Sequence, residues 1–114
     1  MKRVQLFVGL SIGEYWKTLL AIPENLVIDR DKAEFVISST LLSNGIKGFT
    51  LENSIGYWEG NQEKSIVITV YSDIVSPRKW YEIAIKIGNQ LYQDSIMLDF
   101  NGTVSFVDST EVER

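Results

Sequence analysis

Histidine and cysteine are both absent from the 114 residues. With them go the usual general base near neutral pH, the thiolate nucleophile, the disulfide and the common soft metal ligands. A Ser-His-Asp or Cys-His arrangement cannot be built, because its proton shuttle needs an imidazole or a substitute such as lysine. Lys64 beside Ser65 is a sequence neighbour and no evidence for such a substitute. Neither Gly-x-x-x-x-Gly-Lys-Ser/Thr nor Gly-x-Gly-x-x-Gly occurs, so the standard phosphate-binding loops are missing too. On these grounds no metal and no cofactor are expected, and the chain reads as a protein that is not an enzyme. One pair keeps a door open: Glu59 and Glu63 flank an aromatic, and two acids at a fixed separation can do glycosidase work.

Basic charge is also in short supply, with 11 Lys and Arg against 15 Asp and Glu for a net charge of -4. That balance disfavours a nucleic-acid partner, whose phosphates are held by clustered cations. No apolar run approaches the ~18 residues of a membrane span, and Met1-Lys-Arg leads into alternation rather than a leader's apolar core. A cytoplasmic protein without a membrane partner is the expectation. The 45% hydrophobic and 23% charged content is that of a globular chain. Its length fits one domain over residues 1–108, followed by a polar tail, 109–114.

What is present reads as alternating strands and two helical stripes. Val4, Leu6, Val8 and Leu10 recur at period two and predict a strand over 3–10. Ser11 to Asn25 has no clean period and contains Pro23, so it predicts a long connection carrying a short turn of helix. Asp29 is a candidate N-cap for a helix whose stripe is Ala33, Val36, Ile37, Thr40 and Leu41, with Asn44-Gly45 as the stop. Phe49, Leu51, Ile55 and Tyr57 mark one face of a second strand, and Ile66, Ile68 and Val70 mark a third after a Gly60-Asn61 tip. Ser76-Pro77 starts a second helix, with Trp80, Ile83, Ala84, Ile87 and Leu91 on its inner side. Gly88 within it weakens the helix by up to ~1 kcal/mol and suggests a close approach to the sheet. Ser95 to Phe100 and Thr103 to Val107 are two further strands around Asn101-Gly102, the preferred pair for a type I′ turn. Asn101-Gly-Thr103 also matches a glycosylation sequon, and the turn is the favoured reading.

The order β, loop, α, β, β, α, β with an extra C-terminal edge strand predicts an α+β, ferredoxin-like βαββαβ fold. Its two helices cover one face of an antiparallel sheet. The strands carry apolar residues on both sides, with Phe7 opposite Val8 and Trp58 opposite Tyr57, so the second face would be a large apolar patch in a monomer. Self-association is the economical cover.

The segment SIGYWEGNQEKSIVITVYS resembles the second and third strands of the CutA family through Ser54, Ile55, Tyr57, Trp58, Gly60 and Ser65. That resemblance implies a ferredoxin-like trimer akin to the PII signalling proteins, which bind nucleotides in clefts between subunits. The metal-binding cysteine and histidine of many CutA proteins have no counterpart here, and the connection from Ser11 to Asn25 is longer than the family's.

Two functions follow as expectations. The first is a nonenzymatic homo-oligomer, a trimer by resemblance, that senses or sequesters a small anionic metabolite or nucleotide in intersubunit clefts. The hairpin tip, the Ser11 to Lys17 loop and the Gln90 to Ser95 turn would surround the cleft, where Tyr15, Trp16 or Trp58 would stack the planar part, Lys17 or Lys64 would meet the anionic group, and Glu59, Glu63 and Gln93 would complete the lining. The alternative is a protein-interaction module that docks through the Tyr57-Trp58 hairpin tip, with aromatic anchors and a charged rim. Gln93-Asp94 reads first as a turn, and Trp80, Met97 and Phe106 read as core.

Overall fold

The computed structural model describes residues 1–23, 26–74 and 76–110. Residues 24–25 of the long connection and 111–114 of the polar tail lie outside the described residues. The strands are β1 (Lys2–Gly9), β2 (Thr50–Trp58), β3 (Asn61–Ser72), β4 (Ser95–Phe100) and β5 (Thr103–Asp108), and the helices are α1 (Glu14–Leu20), α2 (Arg30–Ser43) and α3 (Pro77–Gln90). They form one five-stranded sheet in the order β2-β3-β1-β4-β5, antiparallel at every pairing. This is the ferredoxin-like α+β arrangement with an added edge strand, and the loop after β1 contributes a third, short helix. No helix among the described residues is long and apolar enough to cross a membrane.

One parity of each strand makes the core. Val4, Leu6 and Val8 of β1 stand opposite Val70, Ile68 and Ile66 of β3, and Leu6 stands opposite Leu98 of β4, all of them buried. Onto this face pack Ala33, Ile37 and Leu41 of α2 and Trp80, Ile83, Ala84 and Ile87 of α3. The helical stripes are those the spacing predicts, because residues three and four apart share a helix face. Asp29 caps α2, its carboxylate accepting from the Asp31 amide at 2.8 Å. Ser76 precedes α3 without making a side-chain cap bond, and Pro77 occupies the first turn.

Gly88 answers the expectation of close approach. A Cβ there would run into the side chain of Ser109 and press on Ile96 of β4. Ser109, which the sequence places in the polar tail, is wholly buried, and its hydroxyl donates to the Gln93 carbonyl. The Asn101–Gly102 turn takes positive φ at both residues, +50° and +97°. The β2–β3 hairpin turns on Glu59 and Gly60, at φ +50° and +82°, one residue before the Gly60-Asn61 tip the sequence suggests. Asn61 is already in β3, paired with Trp58.

Candidate functional site

The opposite parity of the strands faces no helix. It carries Gln5 and Phe7 of β1, Val67, Thr69 and Tyr71 of β3, Met97 and Asp99 of β4, and Val104 and Phe106 of β5. Tyr71 is 63% exposed and Phe106 62%. A sequence cannot separate such residues from core by hydropathy, since the alternation is apolar on both sides. Met97 and Phe106, expected in the core, lie on this open face, whereas Trp80 is fully buried beneath α3 as expected.

The long hairpin turns part of that face into a cleft. β1 stops at Gly9, opposite Ser65, so the stretch of β2 and β3 beyond it is a two-stranded ribbon, which twists more strongly than a wide sheet. β2 and β5 are opposite edges, four strand spacings or roughly 19 Å apart in a flat sheet. Yet the rings of Trp58 and Phe106 meet edge-on with centroids 6.1 Å apart. The ribbon therefore bends back across the open face. Gly56 permits part of the bend, as a Cβ there would press on the Trp58 indole and the Ser65 hydroxyl. Trp58 is thus turned toward the protein's own sheet while keeping 45% exposure, and Tyr57 stays exposed on the other side of the ribbon.

Beneath the arch lies a cleft of about 660 Å³, within the usual range for a small-molecule site. Phe7, Met97, Trp58 and Phe106 form its apolar side, and among the described residues Glu14, Glu59, Glu63 and Asp94 bring four carboxylates against the single cation Lys17. Glu63 is half-buried and lies directly over β1, where any side chain at Gly9 would collide with its carboxyl group. Asp94 is fixed by the Tyr15 amide, which donates to its carboxylate at 3.2 Å, and Gly13 leaves room for it. A groove of about 620 Å³ beside α3 is comparable in size, but Asn44, Lys79, Glu82, Lys86 and their neighbours give it no aromatic side chain.

Of the residues singled out in the sequence, Lys17, Trp58, Glu59, Glu63 and Gln93 line the cleft together. Gln93 is buried in a turn, as its position suggested. Tyr92 takes φ +54° after α3, the Gln93 amide donates to the Gly88 carbonyl, and the Gln93 side-chain amide donates to the Ser11 and Leu91 carbonyls at 2.9 and 3.0 Å. Trp16 is not available for stacking. It is 0% exposed, its indole N–H donates to the Gln93 carbonyl at 2.9 Å, and its ring packs on Tyr92. Tyr15 sits edge-on to Trp16 outside the cleft lining. Lys64 pairs with Ile55 on the face away from Glu63, because neighbouring strand residues point to opposite sides. With four carboxylates to one lysine among the described residues, the cleft disfavours an anionic metabolite on charge. Met97, Phe7 and Phe106 were missed as lining residues. Only the apolar residues on the second strand face hinted at these three.

No family model matches the sequence, and no curated protein matches it. Solved structures do. A phage SAM lyase in complex with S-methyl-5'-thioadenosine superposes with a TM-score of 0.61 at 16% identity, covering 98% of this chain and 92% of that one. The same kind of enzyme in its apo state gives 0.59 at 18% identity, with the same coverage of both chains. At these identities the likeness is one of fold, over nearly the whole of both chains. The expectations of a nonenzymatic binding protein and of an interaction module are corrected by this finding, since both solved structures that share the fold are of an enzyme. Missing histidine and cysteine exclude particular mechanisms and not catalysis itself. Neither structure bears the CutA or PII name.

Proposed function

We propose that the chain is an enzyme that acts on S-adenosylmethionine and releases S-methyl-5'-thioadenosine. The observation that carries this reading is the composition of one cleft: among the described residues, Trp58 and Phe106 stand beside four carboxylates and a single lysine. Aromatic faces suit an adenine ring, and carboxylates suit the sulfonium and ammonium charges of the substrate. The likeness in fold to a lyase crystallised with that thioether supports it.

The chemistry is compatible with a chain that has no imidazole or thiol. When the bond from the sulfonium sulfur to the γ-carbon breaks, its electron pair goes to sulfur, and the leaving group departs as a neutral thioether that needs no proton. The γ-carbon takes its new bond from an oxygen nucleophile, and the substrate's own carboxylate supplies one, so that one C–O bond forms as one C–S bond is lost. Carboxylates near the sulfonium bind the substrate more strongly than the transition state, in which its positive charge is fading. Glu63→Gln should accordingly raise KM while leaving kcat unchanged or somewhat higher.

The proposal includes assembly of copies through the open sheet face, where Val67, Tyr71 and Val104 stand beyond the cleft, with the trimer implied by the CutA resemblance as the expected state. Incubation with S-adenosylmethionine and chromatography of the products tests the activity. The expected result is equimolar loss of substrate and gain of S-methyl-5'-thioadenosine, above the uncatalysed rate. The absence of both turnover and a rise in Tm with either compound would overturn it.

A further inference from the structure

Lys17 is out of place in a cleft that otherwise favours cations, and resting on the reading above we infer that it recognises the carboxylate of the substrate's amino-acid arm. Three observations converge on this role. Among the described residues Lys17 is the only cation lining the cleft, beside Glu14, Glu59, Glu63 and Asp94. Its side chain is 17% exposed, while that of its partner Glu14 is 78% exposed, so the acid stands outward and the lysine inward. Glu14, at 3.4 Å, is its one polar side-chain partner among the described residues, which leaves most of an ammonium's three donors free for a ligand.

Its carrier is held firmly. The Lys17 amide donates to the Gly13 carbonyl at 3.0 Å, and the adjoining Trp16 anchors α1 through the Gln93 carbonyl at 2.9 Å. The placement also fits the molecule to be bound. Phe7, Met97 and Phe106 lie on the sheet face, whereas Ser11, Gly13 and Lys17 lie past the C-terminal end of β1. A ligand with its ring on the aromatics therefore extends its arm toward Lys17. The substrate carries two cations and one anion. The cleft's carboxylates serve the cations, and Lys17 serves the anion, holding one carboxylate oxygen and leaving the other free to turn toward the γ-carbon. Lys17 is thus a specificity residue that selects an amino-acid arm over a plain alkyl or aminoalkyl arm.

The test compares two uncleavable probes, S-adenosylhomocysteine, which keeps the carboxylate, and S-methyl-5'-thioadenosine, which lacks the whole arm. Their Kd values are measured by calorimetry for the wild type, Lys17→Met and Lys17→Arg. Lys17→Met should weaken S-adenosylhomocysteine by about tenfold or more, the scale of a lost charged hydrogen bond, and Lys17→Arg should recover part of it. The armless thioether should change by less than about twofold, which also shows that the variant is folded. Equal weakening of both probes would make Lys17 a structural residue and overturn the inference while sparing the site. No effect on either would overturn it as well. Failure of both probes to bind the wild type would sink the reading of the cleft itself.

Discussion

Two neighbours on β3, Val67 and Ile68, divide the molecule between them. Ile68 points at the helices, meets Leu6 and Leu51 across the sheet and is fully buried. Val67 points the other way, beside Phe7, onto the face that no helix covers. Both are β-branched, both suit a strand, and a period of two assigns them to opposite sides without saying what lies there. The covered face is made by long-range closure of α2 and α3, and it fixes the fold. The open face is left for whatever the hairpin arch and a ligand or second copy bring to it. Apolar alternation on both sides of a sheet therefore signals two uses of burial, and only one of them is the protein's own core.

The largest expected effect breaks that contrast at its centre. Ile68→Ala should cost about 2–5 kcal/mol of stability, because the lost side chain leaves a cavity among packed neighbours. Val67→Ala should cost about 1 kcal/mol or less, since its environment is only half closed. Urea unfolding of both variants at one protein concentration checks the pair. Equal losses would mean that the open face is as completely covered in solution as the helical one.

How far the sequence reveals this architecture depends on the range of the signal. Local signals hold up: the stripes of α2 and α3, the Asp29 cap and the Asn101–Gly102 turn follow from spacing and backbone preference. Strand order follows as well, since short connections and alternating elements leave few topologies. The candidate site is only partly legible. Trp58, Glu59 and Glu63 stand out because they crowd a hairpin tip, but nothing in their spacing says that the ribbon bends back to Phe106. Trp16 and Lys17 are adjacent and look equivalent as site residues. The helix α1 sends one into the core and the other into the cleft, and a segment of 7 helical residues with no clean period does not announce which. Met97 and Phe106 read as core because hydropathy is blind to the absence of a covering layer. The nonenzymatic reading leaned on missing imidazole and thiol groups, whose absence excludes particular mechanisms only, and the solved structures that share the fold are of an enzyme.

Next in size is the arch. Trp58→Ala removes the edge-on contact with Phe106, worth about 0.5–1.5 kcal/mol in such pairs, and should lower Tm modestly. Its effect on ligand should be greater, because stacking on an aromatic contributes about 1–3 kcal/mol per base. The Kd for S-methyl-5'-thioadenosine is therefore expected to rise about tenfold or more. A large stability loss with unchanged ligand affinity would assign Trp58 to holding the hairpin alone.

A smaller effect tests the covered side at its closest approach. Gly88→Ala ought to stabilise α3 by up to ~1 kcal/mol on helix propensity alone. Here the new methyl group would strike Ser109 and Ile96, and overpacking of that kind costs about 1–3 kcal/mol. Net destabilisation is expected, with partial rescue by Ser109→Gly, which clears the obstructing side chain. A stabilised Gly88→Ala variant would show that the end of β5 yields easily and that Ser109 does not seal the core.

The smallest expected effect is also the sharpest test of sidedness. Lys64 and Lys17 both suggested themselves as partners for an anionic group, and the fold gives them opposite stations. Lys64 pairs with Ile55 across the ribbon, while Glu63, its neighbour, is in the cleft. Lys64→Ala should leave stability within about 0.5 kcal/mol of the wild type, as for other exposed substitutions. It should likewise leave the Kd of S-adenosylhomocysteine unchanged within about twofold, since a charge outside the cleft acts only through solvent and salt. Repeating the measurement at low ionic strength lengthens the screening distance and is the most sensitive form of the test. If Lys64→Ala weakened that ligand as much as Lys17→Met, the two faces of the ribbon would not be distinct in solution, and the arch would have to be twisted the other way over the sheet.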